Sequence, residues 1–152
     1  MDFRTMNEQG SFGVRATALI VRDNHIYLAK SPLGTYYSIG GAILFGETTE
    51  EAVKREVKEE IGITVAIQEL AFVVENHFTI DERAFHQIEF HYLVEPLEEP
   101  NPYMEEWGGR RTCEWVPFTE LEKIDVQPPF LKTALQNWNG QLQHIINKDG
   151  EL

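Results

Sequence analysis

Gly41-Ala42-Ile43-Leu44-Phe45-Gly46-Glu47-Thr48-Thr49-Glu50-Glu51-Ala52-Val53-Lys54-Arg55-Glu56-Val57-Lys58-Glu59-Glu60-Ile61-Gly62-Ile63 is the stretch that decides how this chain is read. It begins as a tight loop and continues as one helix with a marked start and stop. Thr48 and Glu51 have the spacing of a capping box, in which each side chain serves a free backbone N–H of the first turn. Gly62 suits the left-handed residue that closes the far end. Val53, Val57 and Ile61 recur at i, i+4 and i+8, an apolar stripe for a core. Glu56, Glu59 and Glu60 stand together on another face. Glu50 and Glu51 fall in the first turn, where carboxylates complement the helix dipole.

Three carboxylates on one turn repel each other. Alone, such a run reads as a solvated acidic face. Oxygen-rich clusters also suit hard divalent cations such as Mg²⁺ or Mn²⁺. The surrounding pattern separates the two: Gly, five residues, Glu, seven residues, then Arg-Glu-aliphatic-any-Glu-Glu-any-Gly-aliphatic. At every defined position residues 41–63 resemble the signature of the Nudix (MutT-like) hydrolase family. At ordinary residue frequencies that coincidence arises at about one in ten million starts.

The resemblance implies an α+β fold, the Nudix-type α/β/α sandwich with a central mixed sheet, the box helix lying on one face of it. It implies hydrolysis of a phosphoanhydride in a nucleoside diphosphate derivative or nucleoside triphosphate, with Mg²⁺ or Mn²⁺ as cofactor. Carried over residue by residue, Glu56 and Glu60 become metal ligands, and Glu59 either completes the shell or acts as general base. The Gly40-Gly41 pair lets backbone approach an ion, so the Gly40 carbonyl joins the expected ligands. Arg55 and Glu47 match the family's structural ion pair, which aims Glu56; with Glu59 and Glu60, Arg55 completes the expected catalytic set. Ile39 stands where many members carry Pro, and Leu44 where many carry an acid, so the substrate subclass stays open.

Composition narrows the rest. The 152 residues carry 13 basic and 25 acidic side chains, a net charge of −12. One domain spanning residues 1–152 is the expectation for this length. The acidic balance argues against nucleic-acid polymers and anionic membranes as partners. A polyanionic substrate is then held through metal ions or a few local cations. The single Cys113 excludes an internal disulfide framework and suits a reducing cytoplasm. No apolar run reaches transmembrane length, and Met1–Gly10 lacks a signal-peptide core. The partner expected is a nucleotide-type small molecule; assembly as a homodimer is left open.

Along the chain, residues 1–12 read as a loose or edge segment. Val14–Arg22 and His25–Lys30 read as a hairpin about Asp23-Asn24. Ser31–Gly40 reads as a loop holding Tyr36 and Tyr37. Ile63–Phe78 reads as one or two strands, and Phe85–Glu95 as a strand with Ile88, Phe90, Tyr92 and Val94 on one face and Gln87, Glu89, His91 and Leu93 on the other. Pro96–Arg111 reads as a long loop, of the kind that often carries function. Its Glu105 and Glu106 are candidate loop acids, with Trp107 as a stacking lid over a Gly108-Gly109 hinge. Phe130–Trp138 reads as a final helix packed into the core. Candidate substrate contacts are Tyr36, Tyr37, Lys30, Arg15 and Trp107. Two other functions remain: a Nudix-fold binding or regulatory module without hydrolysis, and an isoprenoid diphosphate isomerase, for which Cys113 is poorly placed.

Overall fold

The computed structural model describes residues 4–106 and 109–148. In chain order its elements are β1 (Arg4–Met6), β2 (Gly10–Arg22), β3 (His25–Lys30), β4 (Tyr36–Tyr37), β5 (Ile39–Ala42) and α1 (Thr49–Ile61). Next come β6 (Val65–Ile80), β7 (Arg83–Pro96), β8 (Tyr103–Glu106) and β9 (Gly109–Pro117). A 3₁₀ turn (Phe118–Lys123), β10 (Val126–Gln127), α2 (Leu131–Ala134) and β11 (Gln143–Lys148) complete them.

The sheet is mixed and built around β2. Residues 10–20 of β2 pair in parallel with β7. Its Arg15–Ala18 segment pairs antiparallel with β5, and its last two residues turn into β3. The strand order β10-β4-β3-β2-β7-β6-β11 follows, with β1, β5, β8 and β9 attached off that path. β6 and β7 form a long hairpin whose turn, Asp81-Glu82, takes positive φ at both residues.

Alternation along β2 feeds two cores. Ala16, Ala18 and Ile20 pack with Val53, Val57 and Ile61 of α1 and with Tyr92 and Val94. Leu19 packs on the other face with Phe72, Leu93, Leu121, Leu131 and Leu135. The predicted apolar stripe of α1 is thus its buried face. Thr48 caps the helix by accepting from the Glu51 N–H at 3.1 Å, and Gly62 ends it at φ 75°. One long helix covers one side of the sheet; the 3₁₀ turn and α2 cover the other.

Several sequence expectations change. Pro96–Arg111 is no long loop: β8 and β9 pair antiparallel from Tyr103↔Thr112 to Glu106↔Gly109. Alternation explains it, since Met104 enters the α1 core while its neighbours face outward. The chain just before it is fixed by the Asn101 N–H donating to the Ile61 carbonyl. Trp107 and Gly108 lie outside the described residues. Ser31–Gly40 is not all loop, because β4 and the start of β5 lie inside it. The final helix spans only Leu131–Ala134, as Asn137, Trp138, Asn139 and Gly140 are weak helix formers. The tail, which read as uninformative, supplies β11, parallel to β6 from Gln143↔Phe72 to Lys148↔His77. Residues 4–6 do form an edge strand, on β2. Among the described residues no helix is long and apolar enough to cross a membrane.

Candidate active site

The loop between β5 and α1 is closed by one guanidinium. Arg55 Nε donates to Glu47 Oε2 at 2.7 Å, and a second nitrogen donates to Glu47 Oε1 at 2.9 Å, a bidentate fork. The same side chain donates to the Ala42 carbonyl at 3.2 Å, while the Leu44 N–H donates to Glu47 Oε1 at 2.9 Å. Glu47 therefore holds both the loop and the helix. The hydrogen bond from Arg55 draws its carboxyl below the usual range, although partial burial works the other way. The Arg55 guanidinium is held charged well beyond its ordinary range by the Glu47 hydrogen bond first and by Glu56 after burial's opposing effect.

Arg55 also aims the acids. Its third nitrogen donates to Glu56 Oε1 at 2.8 Å and to Glu59 Oε2 at 3.2 Å. The Glu56 side chain is 13% exposed, whereas that of Glu59 is 60% exposed and lies at the rim. A side chain at residue 41 would put its Cβ 2.6 Å from Glu56 Oε1, so Gly41 is what lets this carboxylate lie against β5. Gly40 is tight for another reason: a Cβ there would lie 2.3 Å from the Ala16 carbonyl of the paired strand.

Glu56, Glu60, Gly40, Gly41 and Arg55 line one pocket, with Arg15 and Gln87 at its wall. Among the described residues no three of His, Cys, Asp and Glu converge into a preformed metal cluster. The donor set still fits a hard cation. Mg²⁺ keeps several waters and commonly takes one or two carboxylates plus substrate phosphate oxygens. Glu56 and Glu60 would supply the carboxylates, and the Gly40-Gly41 backbone, which lines the same pocket, would supply a carbonyl.

A second cavity, about 570 Å³, adjoins the first and shares Arg15 and Gln87 with it. Arg15 donates to Thr17 Oγ1 at 3.2 Å and to the Ser38 carbonyl at 3.4 Å, which fixes it between the two spaces. Tyr37 lines this cavity. So do Ser38, Asn76, Glu89, His91 and Asn147, none of which the sequence analysis picked as a site residue. Glu89 and His91 sit on the β7 face read as the polar one, yet both are buried, at 3% and 0% exposure. The available signal was Leu93-Val94, two adjacent apolar residues on one strand, which needs cover on both faces. Burial pushes the Glu89 carboxyl up, but His91, by its hydrogen bond and by charge, with the nearby Arg15 charge and the Asn76 amide, holds it below the usual range.

Other candidates lie elsewhere. Tyr36 is buried in the second core and donates to Glu114, with Lys30 Nζ 5.1 Å above its ring. Neither lines the two spaces described. Glu105 pairs with Arg110 across the hairpin at 3.0 Å, both side chains exposed, and is not part of the pocket wall. The Glu106 backbone faces Gly109 across the same hairpin. Cys113 is buried on β9, and burial, with Glu60 nearby, pushes its thiol up to about 12.

Comparison with known proteins agrees with this architecture. The mutator MutT protein of Bacillus halodurans superposes with a TM-score of 0.68 at 22% identity, over 91% of this chain and 93% of that one. A MutT NUDIX hydrolase from Burkholderia pseudomallei gives a TM-score of 0.56 at 27% identity, over 70% and 84%. In sequence, a NAD-capped RNA hydrolase NudC of Vibrio atlanticus (strain LGP32) is 43% identical over 68 residues, 43% of this chain. The match spans only 25% of that relative's length. The NUDIX domain description matches residues 12–137, most of the chain and all of the box. The chain belongs to the NUDIX domain family, a family of pyrophosphohydrolase enzymes.

Proposed function

We propose that this protein hydrolyses a phosphoanhydride in a nucleoside diphosphate derivative or nucleoside triphosphate, with Mg²⁺ or Mn²⁺ held by Glu56, Glu60 and the Gly40-Gly41 backbone. The observation that carries the reading is the Arg55 fork, which turns Glu56 beside Glu60 into a pocket continuous at Arg15 and Gln87 with a larger cavity. A diphosphate lies across the Arg15 wall, its anhydride on the acidic side and its organic group in the cavity. When bound, the metal neutralises charge on the phosphate oxygens and makes water a better nucleophile. Arg55 holds Glu56 in one orientation and offsets repulsion among the box acids. Arg15 places a fixed positive charge against the phosphates. Glu59, at the rim, takes the proton of the attacking water. The reaction site is cytoplasmic, and Cys113 takes no part, since burial pushes its thiol up and disfavours the reactive thiolate.

A panel of nucleoside diphosphate derivatives and nucleoside triphosphates, incubated with Mg²⁺ or Mn²⁺, tests this. Release of a phosphomonoester or pyrophosphate from at least one member, abolished by chelator, is the expected result. Tight binding across the panel with no turnover would replace the hydrolase by a nucleotide-binding module.

A further inference from the structure

We propose that Glu89 and His91 are specificity-determining residues, selecting a substrate whose base carries an exocyclic amine over one edged by carbonyls, as uracil is. The inference deepens the reading of the same site and concerns the organic half of the substrate alone.

The wall is organised around one acceptor. Glu89 is buried, and as a carboxylate it only accepts hydrogen bonds. Every neighbour is oriented by that fact. Asn76 must turn its amide nitrogen to Glu89 Oε2, 2.9 Å away, which leaves its oxygen for the Asn147 amide at 2.7 Å. His91 must place its proton on Nε2, 2.8 Å from Glu89 Oε1. The other ring nitrogen, Nδ1, takes no part in that bond. That Nδ1 is buried and makes no hydrogen bond to any described residue, and the same holds for the hydroxyl of Ser38, which lines the same cavity.

A network that served packing alone would satisfy its own atoms. This one leaves two buried polar atoms without a partner on residues that line a cavity, and the carboxylate has lone pairs to spare. An amine hydrogen meets such acceptors, whereas a ring carbonyl turned to the same wall sets lone pair against lone pair. Sites built around buried polar groups reject analogues that leave those groups unpaired. Substitution of Glu89 by Gln changes more than one atom. If the new amide nitrogen faces His91, the ring must accept at Nε2 instead of donating, so the carboxylate acceptor of the wall becomes a donor.

Nucleoside monophosphates are the probe, because they lack an anhydride and their binding is read whether or not the protein hydrolyses anything. Calorimetry with Mg²⁺ should show GMP binding about 10-fold tighter than IMP, which differs only by the amine, and AMP and CMP tighter than UMP. Glu89→Gln should erase or reverse the preference for CMP over UMP with unchanged circular dichroism. Equal affinities of wild-type protein for GMP and IMP and for CMP and UMP overturn the assignment, and this comparison needs no variant. A folded Glu89→Gln protein that keeps the wild-type preference overturns it as well. Absence of turnover on every anhydride, with these binding preferences present, would instead count against the hydrolase reading.

Discussion

Arg55 carries more of the site than any single carboxylate, because it binds Glu47, Glu56, Glu59 and a backbone carbonyl at once. Arg55→Ala strands two largely buried carboxylates, and removing one partner of such a pair costs more than the pair itself contributes. The expected loss is about 2 kcal/mol of stability, a fall in Tm of about 5 °C, with activity lost as well. Calorimetric melting beside a turnover assay checks both, and an unchanged Tm would mean the fork is not formed in solution. Glu60→Gln and Glu59→Gln should each lower kcat by at least about 10²-fold, for different reasons. Glu60 faces the pocket with Glu56, so excess Mn²⁺ should recover part of the loss. Glu59 stands at the rim, and added metal should recover none. Metal titrations of the two variants separate a ligand from a base; identical curves would merge the roles.

At the scale of elements, the far end of the β6–β7 hairpin has its own chemistry. His77 and His86 are cross-strand partners with ring centroids 3.9 Å apart, and Phe12 meets the His86 ring edge-on. Burial, then the neighbouring His77, lowers the His86 pKa below its ordinary 6.5, against the opposing pull of Glu75. Below that value the unfolded chain binds the proton more readily than the folded one, so stability falls as pH falls. Above it the contribution is fully present. Urea unfolding between neutral and mildly acidic pH should show this slope, flattened in His86→Phe; a variant with the wild-type slope would place it elsewhere. Some elements were legible because local signals and tertiary packing agree. Helix α1 has its cap, its stop and its stripe in consecutive residues. The β8–β9 hairpin was hidden by its Pro, Glu and Gly content, although Met104 marks the inward position. Strand β11 was hidden because a polar edge strand has no pattern of its own and is defined by its partner β6. The cavity wall was illegible for a related reason. Glu89 and His91 look like an exposed polar face until β11 and α2 are seen to cover that side.

For the whole molecule, a net charge of −12 works against every substrate this site is built to take. Association of a polyanion with such a surface is slowed by repulsion over a Debye length, about 30 Å at 0.01 M salt and 8 Å at 0.15 M. The value of kcat/KM at fixed free metal should therefore rise as KCl is added over that range, opposite to an enzyme that steers its substrate in. A steady fall with salt would show that the local field at Arg15 outweighs the global one. The family match ends at residue 137, while Asn147, which closes the polar chain to Glu89, stands on an edge strand beyond it. An edge strand has one neighbour in its sheet, so a lineage can exchange it, or drift within it, while the box helix and its acids stay as they are. Two chains with the same box can then differ in the organic group they accept through a change confined to that one strand, and inheritance of the reaction is uncoupled from inheritance of the diet.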